Sequence, residues 1–114
     1  MKRVAIPISN NNLSEYFGGC NYYEIFEIEG KDIQKRMLDI PSVSDVTELP
    51  SWLEKQGVTD VIAYKVDKRI ISLFASKKVN LFVGIARKQP ELLIEDYLNG
   101  KLISDERIIS ELID

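Results

Sequence analysis

With 114 residues, of which 45% are hydrophobic, the chain is long enough for one domain that buries about two thirds of its unfolded surface. Its 15 basic and 18 acidic side chains leave a net charge of −3, which gives no general attraction to nucleic-acid phosphates or anionic lipid, so we expect neither as a partner. The lack of histidine removes the commonest general base and metal ligand, and the single cysteine, Cys20, excludes an internal disulfide.

The first third of the chain predicts three strands. Residues 3–8 alternate apolar side chains on one face, as a half-buried strand does. Residues 22–29 and 33–40 form two further strands joined by a hairpin turn, and the polar side chains of the later strand indicate an exposed edge. Residues 9–12 are a loop by composition, and we expect residues 13–20 to continue it as a compact turn or short helical turn.

The middle of the chain predicts a strand, a helix and a second strand. Residues 58–63 and 79–83 are short, apolar runs typical of buried strands. The helix between them is amphipathic, and Asp67 is placed to cap its first turn. Because these lengths suit a right-handed crossover, we expect the two strands to be parallel.

Two more helices flank this unit. One spans about residues 47–56, and we assign its cap to Thr47 because Pro50 fits only in a first turn. The other spans residues 90–98 and ends before Asn99.

We divide the chain into a domain of residues 1–103 and a helical tail of residues 104–114. The tail places Ile108, Ile109, Leu112 and Ile113 on one side, so it packs either on its own domain or on a protein partner. No apolar run approaches the ~20 residues of a membrane span, and the apolar start is too short for a secretory signal. The protein is therefore predicted to be cytoplasmic.

The predicted elements form an α/β fold with a mixed five-stranded sheet and flanking helices. Their order along the chain is β-β-β-α-β-α-β-α, and the expected spatial order of the strands is 3-2-1-4-5. The carboxyl ends of the three parallel strands share one edge, and ligands of open α/β sheets bind outside such ends. The candidate site therefore consists of the loops 9–19, 64–67 and 84–88.

Basic side chains lie in or beside these loops, and they are Lys65, Lys68, Arg69, Arg87 and Lys88. Together with backbone donors at the start of the central helix, they predict an anionic ligand. The alternative is that they are ordinary solvated charges, since about a quarter of any chain is charged. Glu15 is an isolated carboxylate with no partner at a readable spacing, which is weak evidence for catalysis. A nuclease would need clustered carboxylates for two metal ions, and the first strand contains none. We therefore expect no enzyme.

Four stretches of the chain resemble the dinitrogenase iron-molybdenum cofactor-binding family, which includes NifX-like proteins and the carboxy-terminal part of NifB. The stretches are residues 4–7, 13–18, 58–63 and 97–102, and the likeness extends to about residue 103. The resemblance implies a ribonuclease H-like fold. It also implies a small carrier or chaperone of iron-sulfur and iron-molybdenum clusters during nitrogenase assembly.

The chain departs from the family at the positions that carry ligands. Tyr16 stands where the family loop has histidine, and residues 42–46 also lack the histidines that relatives have there. The family's glycine-rich turn corresponds to residues 64–69, where only Arg69 is retained. Cys20 is a soft donor, but a cluster held by thiolates needs several cysteines unless an oligomer pools them, and a small buried hydrophobe is the alternative role.

Edge geometry and resemblance together predict a cofactor-binding site without direct metal ligands. Its residues are Asn10, Ser14, Glu15, Tyr16, Phe17, Gly18, Cys20, Lys65, Arg69 and Arg87. The predicted function is a small, non-catalytic protein with altered or weakened binding of an anionic cofactor or metal cluster. The alternative is a diverged structural or regulatory protein that keeps the fold without a ligand. Neither the cofactor nor the oligomeric state follows from the sequence.

Overall fold

The computed structural model describes residues 1–18, 20–41 and 45–104, which form one mixed sheet with three flanking α-helices. The strands are β1 (Lys2–Ser9), β2 (Asn12–Leu13), β3 (Tyr22–Glu29), β4 (Asp32–Asp39), β5 (Asp60–Ile62) and β6 (Asn80–Phe82). The helices are α1 (Leu49–Lys55), α2 (Lys68–Ala75) and α3 (Pro90–Leu98). Over the described part of the chain, no helix is long and apolar enough to cross a membrane.

The sheet has the strand order β4-β3-β1-β5-β6, with β2 paired to β1 beside this path. β1, β5 and β6 are parallel, whereas β3 and β4 run antiparallel to their neighbours. The predicted order of these five strands is confirmed. β4 is exposed along nearly its whole length, as expected of an edge strand.

The prediction of five strands is wrong, because Asn12–Leu13 form a sixth strand, β2, within the stretch that was expected to be a loop and a compact turn; beyond Leu13 the described residues of that turn, 14–18 and 20, form no further strand or helix. Leu13 pairs with Ile8 across a tight hairpin. The two turn residues, Asn10 and Asn11, have φ of 53° and 66°. Positive φ at both central positions defines the turn that matches the twist of a two-residue hairpin, and asparagine tolerates it better than most residues.

Two apolar clusters cover the two faces of the sheet. Val4, Ile6 and Ile8 of β1 point to the side of α3, while Ala5 points to the side of α1 and α2. This alternation follows from the two-residue period of a strand. A cleft at the carboxyl edge therefore lies either on the face covered by α1 and α2 or on the face covered by α3.

The predicted cap of the helix before β5 also needs correction. Asp45, rather than Thr47, caps this segment: its side chain accepts from the Thr47 N–H at 2.9 Å, and the Glu48 carboxylate accepts from the Asp45 N–H at 3.1 Å. This reciprocal pair starts a 3-10 turn, Val46–Glu48, which continues into α1. By contrast, Asp67 caps α2 as predicted.

A buried polar cluster lies at the amino end of β5. Asp60 is 1% exposed, yet its carboxylate accepts hydrogen bonds from the Thr59 hydroxyl at 2.6 Å and the Asn80 amide at 3.2 Å. The hydroxyl of Tyr97 on α3 also bonds to it. Burial, followed by the negative charge of Asp60 and the hydrogen bond to it, raises the pKa of Tyr97 to about 12. The cluster fixes α3 to the sheet.

The predicted helical tail lies mostly outside the described residues, which end at Ser104. Ser104 itself forms an isolated antiparallel bridge with Ile85, just after β6. The chain after α3 therefore returns to the carboxyl edge of the sheet.

Candidate functional site

The loop after β2 and the segment after β5 lie side by side at the carboxyl edge. Tyr16 and Lys65 form a parallel bridge, in which the Lys65 N–H donates to the Glu15 carbonyl at 3.0 Å and the Phe17 N–H donates to the Lys65 carbonyl at 3.1 Å. These bonds extend the parallel pairing of the sheet beyond the ends of its strands. Four of the predicted site residues are thereby brought into one contiguous unit.

A cleft of about 320 Å³ opens between this unit and α2, and we call it the α2-side cleft. Its lining residues are Tyr16, Phe17, Gly18, Val46, Lys65, Asp67 and Ile70. Most of these side chains are apolar. A ligand in this cleft would therefore be held mainly by its shape and by apolar contacts, and less by charge.

The floor of the cleft is held by a buried aromatic cluster. Phe17 is 2% exposed, and its ring makes edge contacts with Tyr23 at 5.8 Å and with Phe74 at 5.7 Å between ring centroids. The Tyr23 hydroxyl donates to the Phe17 carbonyl at 2.8 Å. These contacts fix the loop backbone, so Phe17 anchors the cleft rather than offering it a polar group.

Gly18 lets the chain before α1 pack closely against the loop. A Cβ on Gly18 would lie 2.6 Å from Cγ1 of Val46, which is too close for two carbon atoms. Any larger residue at position 18 would push Val46 out and reshape the cleft wall.

Lys65 carries the positive charge that lines the described cleft. Its Nζ lies 3.8 Å from Oε1 of Glu15, and 5.7 Å and 5.9 Å from the ring centroids of Tyr16 and Tyr64. Tyr16 is 57% exposed, so the ring and the ammonium group face water together. An incoming anion could replace Glu15 as the partner of Lys65 at small cost, since such exposed pairs contribute little.

Arg69 and the start of α2 are already engaged by Asp67. The Asp67 carboxylate accepts from the Arg69 N–H at 2.8 Å and pairs with the Arg69 guanidinium at 3.3 Å. The hydrogen bond from Arg69 is the main reason that the pKa of Asp67 is lowered. A ligand that used the backbone donor of Arg69 would have to displace this cap.

Two other basic residues of the edge, Arg87 and Lys88, do not line the α2-side cleft. Arg87 donates from Nε to the Leu13 carbonyl at 3.0 Å, which ties the loop after β6 to β2. Lys88 pairs with Asp96 at 3.0 Å. The predicted group of cations is therefore distributed over several ion pairs and hydrogen bonds.

Three of the predicted site residues make contacts that support the local fold and do not face the α2-side cleft. Cys20 is nine-tenths buried next to Tyr23, and burial is the main cause that raises the pKa of its thiol. Ser14 is 2% exposed, and its hydroxyl donates to the Tyr16 carbonyl at 2.9 Å. Asn10 supplies a turn with positive φ. None of the three lines the α2-side cleft.

The donor set does not fit a cluster held by direct bonds to side chains. Among the described residues no group of three or more His, Cys, Asp or Glu side chains could hold a metal ion. A buried thiol with a raised pKa is a poor thiolate ligand, because the thiolate is the form that binds metal. Any cluster bound here would be held through its surface charge and shape.

A second, larger cleft was not predicted from the sequence. This α3-side cleft of about 510 Å³ lies on the opposite face of the same edge, between the loop after β6, α3 and the chain that follows it. Its lining residues are Tyr64, Gly84, Ile85, Ala86, Lys88, Leu93, Asp96, Lys101, Leu102, Ile103 and Ser104. Residues 101–104 gave no strand or helix pattern in the sequence, so their return to the edge could not be predicted.

The chain was compared with protein-family models and with known proteins. Residues 1–100 match the family model described as dinitrogenase iron-molybdenum cofactor. The uncharacterized protein MJ0580 of Methanocaldococcus jannaschii is 27% identical over 107 residues, which cover 90% of both chains.

Solved structures show the same architecture. The crystal structure of PH0822 has a TM-score of 0.81 and 28% identity, covering 90% of this chain and 94% of that one. The apo form of the orange protein from Desulfovibrio gigas has a TM-score of 0.75 and 11% identity, covering 92% of this chain and 93% of that one. At 11% identity the second likeness concerns the fold alone.

Proposed function

This chain belongs to the dinitrogenase iron-molybdenum cofactor family, and on that premise we propose that it is a small, non-catalytic protein that binds an anionic metal cluster or similar anionic cofactor at the α2-side cleft. The cluster is cargo rather than a resident group. Binding is weak and depends on charge and shape, not on bonds from side chains to metal.

The position of Lys65 is the observation that carries this proposal. Among the described residues that line the cleft, Lys65 is the only cation, and its exposed partner Glu15 is easily replaced. Tyr16 beside it presents an aromatic face where the resemblance places an imidazole in relatives. Because a single partly exposed charge contributes little, affinity is low and falls as salt screens the interaction.

The other charged groups near the cleft support a binding role rather than catalysis. Asp67 caps a helix and pairs with Arg69, and Glu15 pairs with Lys65. General acid-base catalysis needs a titratable group within reach of a substrate proton and free to exchange it. These carboxylates are instead held by cationic partners.

A diverged structural or regulatory role without a ligand is the second candidate. It is favoured by the engagement of Arg69, Arg87 and Lys88, each of which already has a protein partner. In that case the α2-side cleft has no cargo, and the edge only maintains the fold.

Anaerobic titration of an iron-sulfur or iron-molybdenum cluster into the full chain tests the proposal. We expect wild-type binding to weaken as salt is raised, and Lys65→Ala to lower affinity about fivefold at low salt, equivalent to ~1 kcal/mol. Lys101→Ala, which removes an exposed lysine on the other face, is the matched control and should bind like wild type.

Cys20→Ser separates the proposal from a thiolate-ligated carrier. Because Cys20 is buried beside Tyr23, this change should leave cluster affinity unchanged. Tight, salt-insensitive binding that Cys20→Ser abolishes would overturn the proposal. No binding by any variant would favour the ligand-free role.

A further inference from the structure

The α3-side cleft has an apolar wall and a basic rim. Leu93 and Ile85 are fully or nearly fully buried at its base, whereas Ile103 at its rim is 80% exposed. Lys88 and Lys101 are the cations along the described rim; Lys88 pairs at 3.0 Å with Asp96, which also lines the cleft, so the charge of Lys101 is the one that an acidic segment meets first. A cleft of this kind fits an amphipathic segment that has an apolar side and acidic flanks.

The path of the chain brings such a segment to the rim. The bridge between Ile85 and Ser104 fixes the last described residue at the edge of the cleft, so residue 105 continues from its mouth. Residues 105–114 contain four acidic side chains and one basic side chain. Their apolar residues, Ile108, Ile109, Leu112 and Ile113, recur at the spacing of one helical face.

We propose that the α3-side cleft is the docking groove for residues 105–114 of the same molecule. The apolar face of this segment covers Ile103 and Leu102, and its acidic side chains lie near Lys101. Tethering at Ser104 favours the same molecule over a second copy, because a short connection gives the segment a high effective concentration at the groove.

Hydrogen exchange of backbone amides in the full chain tests this docking. We expect the amides of residues 106–114 to exchange slowly in wild type and about tenfold faster or more in Ile103→Glu. This change places a carboxylate in the apolar contact with the segment, next to the segment's own acidic side chains. Ile103 is mostly exposed, so the substitution should leave the fold intact. Met37→Glu, an exposed apolar residue on β4, is the matched control and should leave the exchange of residues 106–114 unchanged.

Changes within the segment provide the reciprocal test. Ile108→Glu with Leu112→Glu should raise exchange as Ile103→Glu does, whereas Ser110→Glu on the polar side should not. Light scattering should give a monomer, with exchange rates that do not depend on protein concentration. Fast exchange of residues 106–114 in wild type, or no response to Ile103→Glu, would overturn the proposal. Protection that is lost on dilution would also overturn it and would assign the groove to a second copy.

Discussion

The polar groups at the two ends of β5 differ in their exposure to water. At the amino end, the Asp60 carboxylate is 1% exposed and receives hydrogen bonds from Thr59, Asn80 and Tyr97. Beyond the carboxyl end, Lys65 faces Glu15 at 3.8 Å with both side chains partly open to water. The first cluster is closed to ligands, whereas the second can exchange its partner.

This difference separates polar groups that stabilise the fold from polar groups that are available to bind a ligand. A buried carboxylate is costly unless it is hydrogen-bonded, so the loss of a partner of Asp60 should destabilise the fold. An exposed ion pair contributes little and can be broken by an anion. Polar residues at the amino end should therefore affect folding, and those at the carboxyl edge should affect binding.

The largest expected effect is that of Asp60→Ala. Removing the carboxylate breaks its hydrogen bonds with the Thr59 hydroxyl and the Asn80 amide and leaves a gap at a position that is 1% exposed, so we expect the free energy of unfolding to fall by about 2–3 kcal/mol. Urea unfolding measures this loss. Asp32→Ala, an exposed carboxylate on β4, is the control and should change stability by no more than about 0.5 kcal/mol. A loss as small for Asp60→Ala would contradict the assignment of a stabilising cluster.

A smaller effect is expected for Tyr97→Phe, with a dependence on pH. At neutral pH the lost hydrogen bond to Asp60 should cost about 1–2 kcal/mol. The folded protein raises the pKa of Tyr97 from 10.0 to about 12 and so keeps the phenol protonated, whereas the unfolded chain releases the proton nearer pH 10. Wild-type stability should therefore be fully retained below about pH 10 and fall as pH rises from about 10 to 12.

Unfolding curves of wild type and Tyr97→Phe over this range check the sign. The difference in stability between them should shrink as pH rises. Tyr23, whose pKa burial also raises, keeps its own contribution in both proteins. A difference that grows with pH would show that Asp60 does not hold the neutral phenol.

The smallest effect on stability is expected at the carboxyl edge. Lys65→Ala removes one partly exposed ion pair and two distant ring contacts, so the free energy of unfolding should change by at most about 1 kcal/mol. Glu15→Gln, which removes only the charge of the partner, should change it less. If Lys65→Ala destabilised the protein as much as Asp60→Ala, the two ends of β5 would not differ in the way described.

Most of the fold was predictable because its signals are local. The bounds of β3 and α3, the Asp67 cap and the polar edge strand follow from alternation, capping chemistry and breakers. The strand β2 was missed because two residues carry too little pattern, although consecutive asparagines that can adopt positive φ were a usable signal. The cap at Asp45 was missed because the sequence does not distinguish a 3-10 turn from the first turn of a helix.

The sequence by itself determined the strand order and the absence of imidazole from the whole chain, and it predicted the carboxyl edge as the place for a site. Only the tertiary structure decided which side chains meet there. Lys65 reaches Tyr16 through hydrogen bonds between residues far apart in the chain, and Cys20 turns towards Tyr23 rather than into the cleft. Periodicity reports the face on which a residue lies, but a contact across a loop depends on the packing of every element between the two residues, which no local pattern encodes.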